Sequence, residues 1–198
     1  MNGVDDGEIT YMHGLVTDLK TKKPVAGAWI DVWQASTNGL YEQQDANQVD
    51  CNLRGKFKTD ENGRYAFYCL RPTPYPVPDD GKFWTACTAY DDPNVMPGPA
   101  GKLLQLLDRH PFRPAHIHLI VCSTPIFLLE SFLIFKLQVQ REGYKPVTTQ
   151  IFDSVDKYLD NDSVFAVKDS LVVEFKPLKG NAKANLELDY PIVLMPSA

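Results

Sequence analysis

The sequence is poor in the residues that mark several common functional classes. It has four cysteines and four histidines in 198 residues, and no two cysteines form a CxxC pair. This spacing argues against a zinc ribbon, and scattered cysteines in so long a chain argue against a disulfide scaffold. Basic residues are not in excess, because the net charge is −5 and the pI is about 5.3. Nucleic acid is therefore not predicted as a partner, since phosphate binding needs a basic surface.

No hydrophobic run is long enough to predict a membrane span. The most apolar stretch, 125–137, is 13 residues long and is interrupted by Glu130 and Ser131. A membrane-spanning helix needs roughly 20 apolar residues. The N-terminal stretch MNGVDDGEIT has no basic segment ahead of an apolar run, so no signal peptide is predicted. We therefore expect a cytoplasmic protein that does not bind membranes.

What the sequence does contain is a series of short strand-like segments separated by turns. In AWIDVWQAS, branched and aromatic side chains predict a strand, with Trp29 and Trp33 expected in the core. Residues 55–70 predict a hairpin that turns at Asn62-Gly63, and only residues 101–110 have a helical pattern. We predict one all-β domain over residues 1–198, a β-sandwich with a short helix and long loops.

The stretch RHPFRPAHIH, residues 109–118, contains three of the four histidines. Pro111 and Pro114 argue against a helix here, because proline lacks a donor and clashes with the preceding turn. In a strand, His116 and His118 point to the same face. Two such imidazoles are typical of a metal site, but a buried pair bonded to backbone carbonyls explains the dipeptide alone equally well.

Two tyrosines favour the metal site. Tyr75 lies in TPYPVP, where Pro74 and Pro76 restrict the backbone and would hold a ligand in place. Tyr41 follows a glycine-containing turn in TNGLY. Taken without further context, Tyr41 could equally be a surface aromatic residue.

Several segments together resemble a known family. They are KKPVAGAWIDVWQASTNGLY, LRGKFKTDENGRYAF, PTPYPVPDDG, LLDRHPFRPAHIH, GYKPVTTQIF and SVFAVKDSLVVEF, and they span most of residues 9–178 in the family's order. The chain resembles the intradiol ring-cleavage dioxygenases, the non-haem Fe(III) enzymes that open catechols. The most specific signature is RPAHIH preceded by a tyrosine loop and followed by TTQ. The motif YPVPDDG resembles that of the hydroxyquinol branch more than that of the catechol branch.

The resemblance implies that Tyr41, Tyr75, His116 and His118 bind one Fe(III). Chemistry agrees with this set, because two phenolates are hard anionic donors that stabilise the ferric state. Two histidines with one carboxylate would suit Fe(II) instead. A cupin-like Fe(II) oxygenase also uses two histidines in this spacing, but it expects a later third histidine, and no histidine follows His118.

The resemblance also implies the reaction and its catalytic residues. A catechol-type diphenol, catechol or hydroxyquinol, would displace Tyr75 and be cleaved by O₂ between its hydroxyl-bearing carbons to a muconate-type diacid. Arg113 matches an arginine that stabilises charge developing on the ring, and Gln150 matches a hydrogen-bonding glutamine. Without the family, Arg113 reads as a strand-edge ion pair and Gln150 as a solvent-facing residue. The alternative function is a non-catalytic β-sandwich binding module or an inactive dioxygenase-like fragment.

The chain departs from the family pattern in three places. Segments 82–98 and 122–142 have no counterpart, and we hypothesise that one or both are translated introns, with a lineage-specific loop as the alternative. Relatives carry an N-terminal helical region that forms the homodimer and part of the pocket wall. This sequence starts at the catalytic β-domain, which leaves two alternatives, a truncated gene model or a shorter form of the protein. Dimerisation by that route is not expected of the sequence as given.

Overall fold

The computed structural model describes residues 7–77, 99–123 and 143–197. Segment 82–98 and nearly all of segment 122–142 lie outside the described residues, and the hypothesis about them stays a prediction. The strands are β1 (Ile9–Asp18), β2 (Trp29–Trp33), β3 (Arg54–Lys58), β4 (Arg64–Leu70), β5 (Tyr75–Pro76), β6 (Phe112–Arg113), β7 (His116–Cys122), β8 (Val147–Asp153), β9 (Val172–Val173), β10 (Lys176–Pro177), β11 (Leu186–Asp189) and β12 (Ile192–Leu194). The helix α1 spans Pro99–Leu106, and 3₁₀ turns span Glu42–Gln44, Leu159–Asn161 and Asp169–Leu171.

These strands form two sheets and a short ribbon, which confirms the predicted all-β class. In the first sheet the order is β10-β11-β1-β12, and β4 pairs antiparallel with the other edge of β1. The long strand β1 pairs parallel with β11 through residues 10–13 and with β12 through residues 16–18. The second sheet has the order β3-β2-β7-β8-β9, and the ribbon pairs β5 with β6.

The core lies between the two sheets. Successive side chains of a strand point to opposite faces, so every second residue of β2 and β7 faces the first sheet. Burying each such side chain stabilises the fold by about 1.5–3 kcal/mol. The core residues of β2 and β7 are Ile30, Val32, Ile117, Leu119 and Val121, and those opposite include Met12, Val16, Phe67, Leu188 and Leu194.

The predicted hairpin over residues 55–70 is wrong, although its turn forms. The Asp60 N–H donates to the Arg64 carbonyl over 2.9 Å, and Gly63 takes the positive φ of +71° that the turn needs. However, β3 pairs with β2 and β4 pairs with β1, so the turn connects the two sheets. The Phe57 and Phe67 rings stack 4.3 Å apart across the core, as expected where the inner faces of two sheets pack together.

The expectation that Trp29 and Trp33 lie in the core is also wrong. Both are half-buried on the outer face of the second sheet, the face turned away from the first sheet. Ile30 and Val32 occupy the inner face of β2 instead, at 0% and 4% exposure. In the described ranges, we find no helix with both the length and the apolar character needed to cross a bilayer.

Candidate metal centre

The paired histidines lie on β7, the central strand of the second sheet. Because Ile117 and its alternate neighbours enter the core, His116 and His118 both face the outer side, as predicted. The start of the strand is fixed at Ala115. Its N–H donates to Asp156 Oδ2 over 3.0 Å, and its carbonyl accepts the Asp153 N–H over 3.1 Å. The imidazoles therefore stand on a rigid part of the fold.

The tyrosines reach this face from two loops. Tyr41 precedes the first 3₁₀ turn, and its N–H donates to Gln44 Oε1 over 2.7 Å. Tyr75 lies in β5, where it pairs with Arg113 of β6. Gly39 has a φ of +78°, and a side chain built there would meet the Cβ of Tyr75. The positive φ, which favours glycine, therefore accounts for this residue at the turn beside Tyr75.

Four polar atoms converge, which we call the four-atom cluster: Tyr41 Oη, Tyr75 Oη, His116 Nε2 and His118 Nε2. The two phenolic oxygens are 3.0 Å apart, and the two imidazole nitrogens are 3.1 Å apart. Tyr41 Oη lies 3.0 Å from His118 Nε2, and Tyr75 Oη lies 3.2 Å from His116 Nε2. The structure thus brings together all four side chains that the sequence analysis predicted as ligands.

The cluster has the size of a metal coordination shell. A first-row ion about 2.0–2.1 Å from each ligand leaves neighbouring ligand atoms roughly 2.8–3.4 Å apart. All four measured separations fall in that interval. Among the described residues, no group of three or more His, Cys, Asp or Glu side chains could hold a metal ion. A metal bound here would therefore depend on the tyrosine oxygens.

Burial keeps the cluster uncharged while it holds no metal. Burial and then the Arg113 guanidinium lower the pKa of His116 to about 4. Burial, then His116 and Arg113, lower the pKa of His118 to about 3. Burial and then the Tyr75 phenol raise the pKa of Tyr41 above its ordinary value. His116 Nδ1 lies 2.7 Å from the Pro114 carbonyl, which can only accept, so the Nε2 lone pair faces the cluster.

These pKa values predict a pH dependence for the metal-free protein. The unfolded chain binds protons at both histidines below a pKa of about 6.5. Folded His116 and His118 stay neutral until about 4 and about 3, so stability is lost as the pH falls from 6.5 towards 4. Each pH unit costs up to about 1.4 kcal/mol per histidine. We expect the Tm to fall more steeply between pH 7 and pH 5 than in a His116→Asn/His118→Asn variant. Equal slopes would contradict the assignment of neutral, buried imidazoles.

Arg113 and Gln150 lie beside the cluster. Arg113 is 6% exposed, and its Nη2 donates to Gln150 Oε1 over 2.7 Å. Its Nη1 lies 3.2 Å from His116 Nε2. Gln150 is opposite His118 on β8, and its Nε2 is 3.2 Å from His118 Nδ1. Both residues thus contact the predicted ligands. Gln150 is half-buried and not solvent-facing, whereas Arg113, on the short strand β6, also forms the ion pair of the alternative interpretation, with Asp162.

Trp33 belongs to this site, and the sequence analysis missed it. It pairs with His118 in register, and the two rings stack with centroids 4.7 Å apart and planes 1° apart. The indole therefore fixes the plane of one predicted ligand. The sequence did contain a pattern that places Trp33 here. Ile30 and Val32 are aliphatic and occupy the inner face of β2, so the alternating residue Trp33 lies on the outer face with the histidines.

The other two histidines are not in the cluster. His110 Nδ1 accepts the Phe112 N–H over 3.1 Å, and its ring packs 4.7 Å from Tyr158. This is the structural role that its position suggests. His13 lies on β1 in the first sheet, 4.0 Å from a carboxylate oxygen of Glu187.

Comparisons with known proteins show which sequences and structures this chain is similar to. Residues 1–94 and 88–196 match the family model described as Dioxygenase. The chain is 44% identical over 189 residues to the intradiol ring-cleavage dioxygenase prcA of Aspergillus niger, covering 96% of this chain and 49% of that protein. It is 39% identical over 190 residues to the catechol 1,2-dioxygenase of Candida albicans, covering 93% and 51%. The crystal structure of hydroxyquinol 1,2-dioxygenase from Pseudomonas putida DLL-E4 superposes with a TM-score of 0.74 at 31% identity, covering 98% and 59%. The chain spans about half the length of these curated relatives.

Proposed function

The chain belongs to the intradiol ring-cleavage dioxygenases, and from this premise we propose that it binds one ferric ion and opens a catechol-type diphenol with O₂. The ligands are Tyr41, Tyr75, His116 and His118, and the product is a muconate-type diacid. The observation that carries the proposal is the convergence of two phenolic oxygens and two imidazole nitrogens within 3.0–3.2 Å. The β-sandwich over residues 1–198 is the catalytic domain in this proposal.

The donor set fits a ferric ion. Phenolates are hard anionic donors, and imidazole is a common partner for iron. When bound, the ion would supply the positive charge and electron-accepting capacity that make a chelated diphenol reactive towards O₂. Both tyrosines must lose a proton to become ligands, so metal binding releases protons and is favoured by rising pH.

Tyr75 is the ligand best placed to give way to substrate. The two histidines lie on a central strand, and contacts of their rings hold them: His116 Nδ1 is 2.7 Å from the Pro114 carbonyl, and His118 stacks on Trp33. Tyr75 instead lies in the two-residue strand β5, which pairs only with β6 among the described strands. Once displaced, its phenolate oxygen can accept a proton from a substrate hydroxyl. Tyr41, held at its N–H by Gln44, remains in place.

Arg113 and Gln150 act on the substrate side. The guanidinium directs Nη1 towards the cluster, so its charge stabilises negative charge that develops on the bound ring. Gln150 accepts from Nη2 and keeps the guanidinium in this plane.

The test is to load the full chain with ferric iron and supply catechol and hydroxyquinol under ¹⁸O₂. We expect one iron per chain, visible absorption from phenolate-to-iron charge transfer, and a diacid that carries both labelled oxygen atoms. Comparing the two diphenols decides the substrate. A coloured protein that cleaves neither would favour an inactive dioxygenase-like fragment, whereas a colourless one would favour the non-catalytic binding module. A protein that retains no iron would overturn the proposal.

The stacked indole predicts an effect on metal affinity. Trp33→Leu removes the ring that stacks on His118. Hydrogen-bonded outer-shell partners contribute about 10–100-fold in metal affinity, and we expect the loss of stacking to lie at the lower end of that range. We expect a dissociation constant about tenfold higher, measured by competition with a chelator. Trp29→Leu is the matched control, because Trp29 lies four residues away on the same face of β2 and contacts Lys58 instead. Equal affinity losses in both variants would contradict a specific role for Trp33.

A further inference from the structure

Asp162 lies behind Arg113, on the side away from the four-atom cluster. Its Oδ1 is 3.4 Å from Arg113 Nε, and the two side chains are 2% and 7% exposed. The residue follows the 3₁₀ turn Leu159–Asn161. Its segment, DKYLDND, has the composition of a polar turn. Among the described residues, Asp162 carries the one carboxylate within ion-pair distance of the Arg113 guanidinium.

The carboxylate is itself held in place. Asp162 Oδ1 accepts the Val164 N–H over 3.3 Å, and Oδ2 accepts the Ala166 N–H over 2.8 Å. The Asp162 carbonyl accepts from Arg109 Nη2 over 2.7 Å. Backbone and side chain are therefore fixed independently of Arg113, which makes Asp162 an anchor.

Three edges of the Arg113 guanidinium have three different partners. Nε faces Asp162, Nη2 donates to Gln150, and Nη1 faces the four-atom cluster. Because the guanidinium is planar, two fixed edges determine the direction of the third. We propose that Asp162 is the positioning residue that aims Arg113 Nη1 at the reacting ring and balances its charge. The proposal rests on the function proposed above.

The charge balance matters because the cluster is to hold a cation. A buried guanidinium beside that position opposes metal binding, since like charges at short range repel strongly in a medium of low polarity. The Asp162 carboxylate offsets this charge without being a ligand. Removing it would leave Arg113 buried and unpaired, and an uncompensated buried charge is strongly unfavourable.

A double-mutant cycle on the full chain tests the proposal. Asp162→Asn should lower kcat about tenfold, with a smaller change in KM, and weaken metal binding. In an Arg113→Gln background the same change should lower kcat less than about twofold, because the group through which it acts is already lost. Asp162→Glu keeps the charge but shifts the carboxylate by one methylene group. Its metal affinity should match that of the wild type, whereas its kcat should stay below the wild-type value.

The matched control is Asp60→Asn, since Asp60 Oδ1 also accepts two backbone N–H groups within a turn. It should leave kcat and metal affinity unchanged. The Tm of the metal-free proteins gives a second cycle, in which Asp162→Asn should be less destabilising when Arg113 is already glutamine. Additive effects on both kcat and Tm would overturn the proposal and leave Asp162 a purely structural residue. A wild-type chain that binds no iron would overturn the proposed function instead, while the Tm cycle would still report the pairing.

Discussion

Replacing His116 with asparagine is expected to abolish iron retention and lower kcat/KM by about a thousandfold or more, because the metal contribution of several kcal/mol is lost. Asparagine matches the Nδ1 half of the imidazole, so its amide N–H can still donate to the Pro114 carbonyl, 2.7 Å from Nδ1 in the wild type. It places no atom at the position of Nε2. The fold contact is therefore kept while one corner of the four-atom cluster is removed. Iron content and the charge-transfer absorption measure the result.

His110→Asn is the matched control for this substitution. His110 lies in the same segment, and its Nδ1 accepts the Phe112 N–H. The asparagine Oδ1 can replace that acceptor, so iron content and activity should stay close to those of the wild type. Stoichiometric iron in the His116→Asn protein would refute the ligand assignment. Equal loss in both variants would show that the segment responds to any change at a histidine.

The convergence of the cluster was only partly predictable from the sequence. Strand geometry alone places His116 and His118 on one face, because side chains alternate with a period of two. It says nothing of Tyr41 and Tyr75, which are 34 residues apart on separate loops. The family resemblance grouped these four residues, and their contacts in the folded chain confirm that they meet.

Other features depend on contacts that no local pattern records. Asp162 reads as a polar turn residue, and its burial becomes evident only from its contact with Arg113, 49 residues earlier. The Asn62-Gly63 turn likewise predicts a reversal of the chain, but it does not predict that β3 pairs with β2 while β4 pairs with β1. A turn depends on residues close together in the sequence, whereas the sheet that each flanking strand joins depends on packing between distant parts of the chain.

Arg113→Gln is expected to lower kcat by about 100–1,000-fold while iron content stays near that of the wild type. Losing one donor that stabilises charge in a transition state has an effect of this size. Arg113 is not among the four cluster atoms, so the metal ligands remain, and removing a positive charge beside a cation does not weaken its binding. Single-turnover cleavage of the iron-loaded variant measures the effect on the chemical step.

Two further variants separate charge, geometry and stability. Arg113→Lys keeps the charge but lacks the planar fork that faces Asp162 and Gln150 together, so its kcat should lie between those of the wild type and Arg113→Gln. Arg71→Gln breaks another arginine pair with a buried aspartate, the 2.6 Å contact with Asp153. Among the described residues Arg71 contacts Glu8, Asp153 and Phe175 and none of the four cluster atoms, so this control should lower the Tm and leave kcat unchanged. If iron-loaded Arg113→Gln turned over at the wild-type rate, the guanidinium would have no part in the reaction, and Asp162 would have nothing to position.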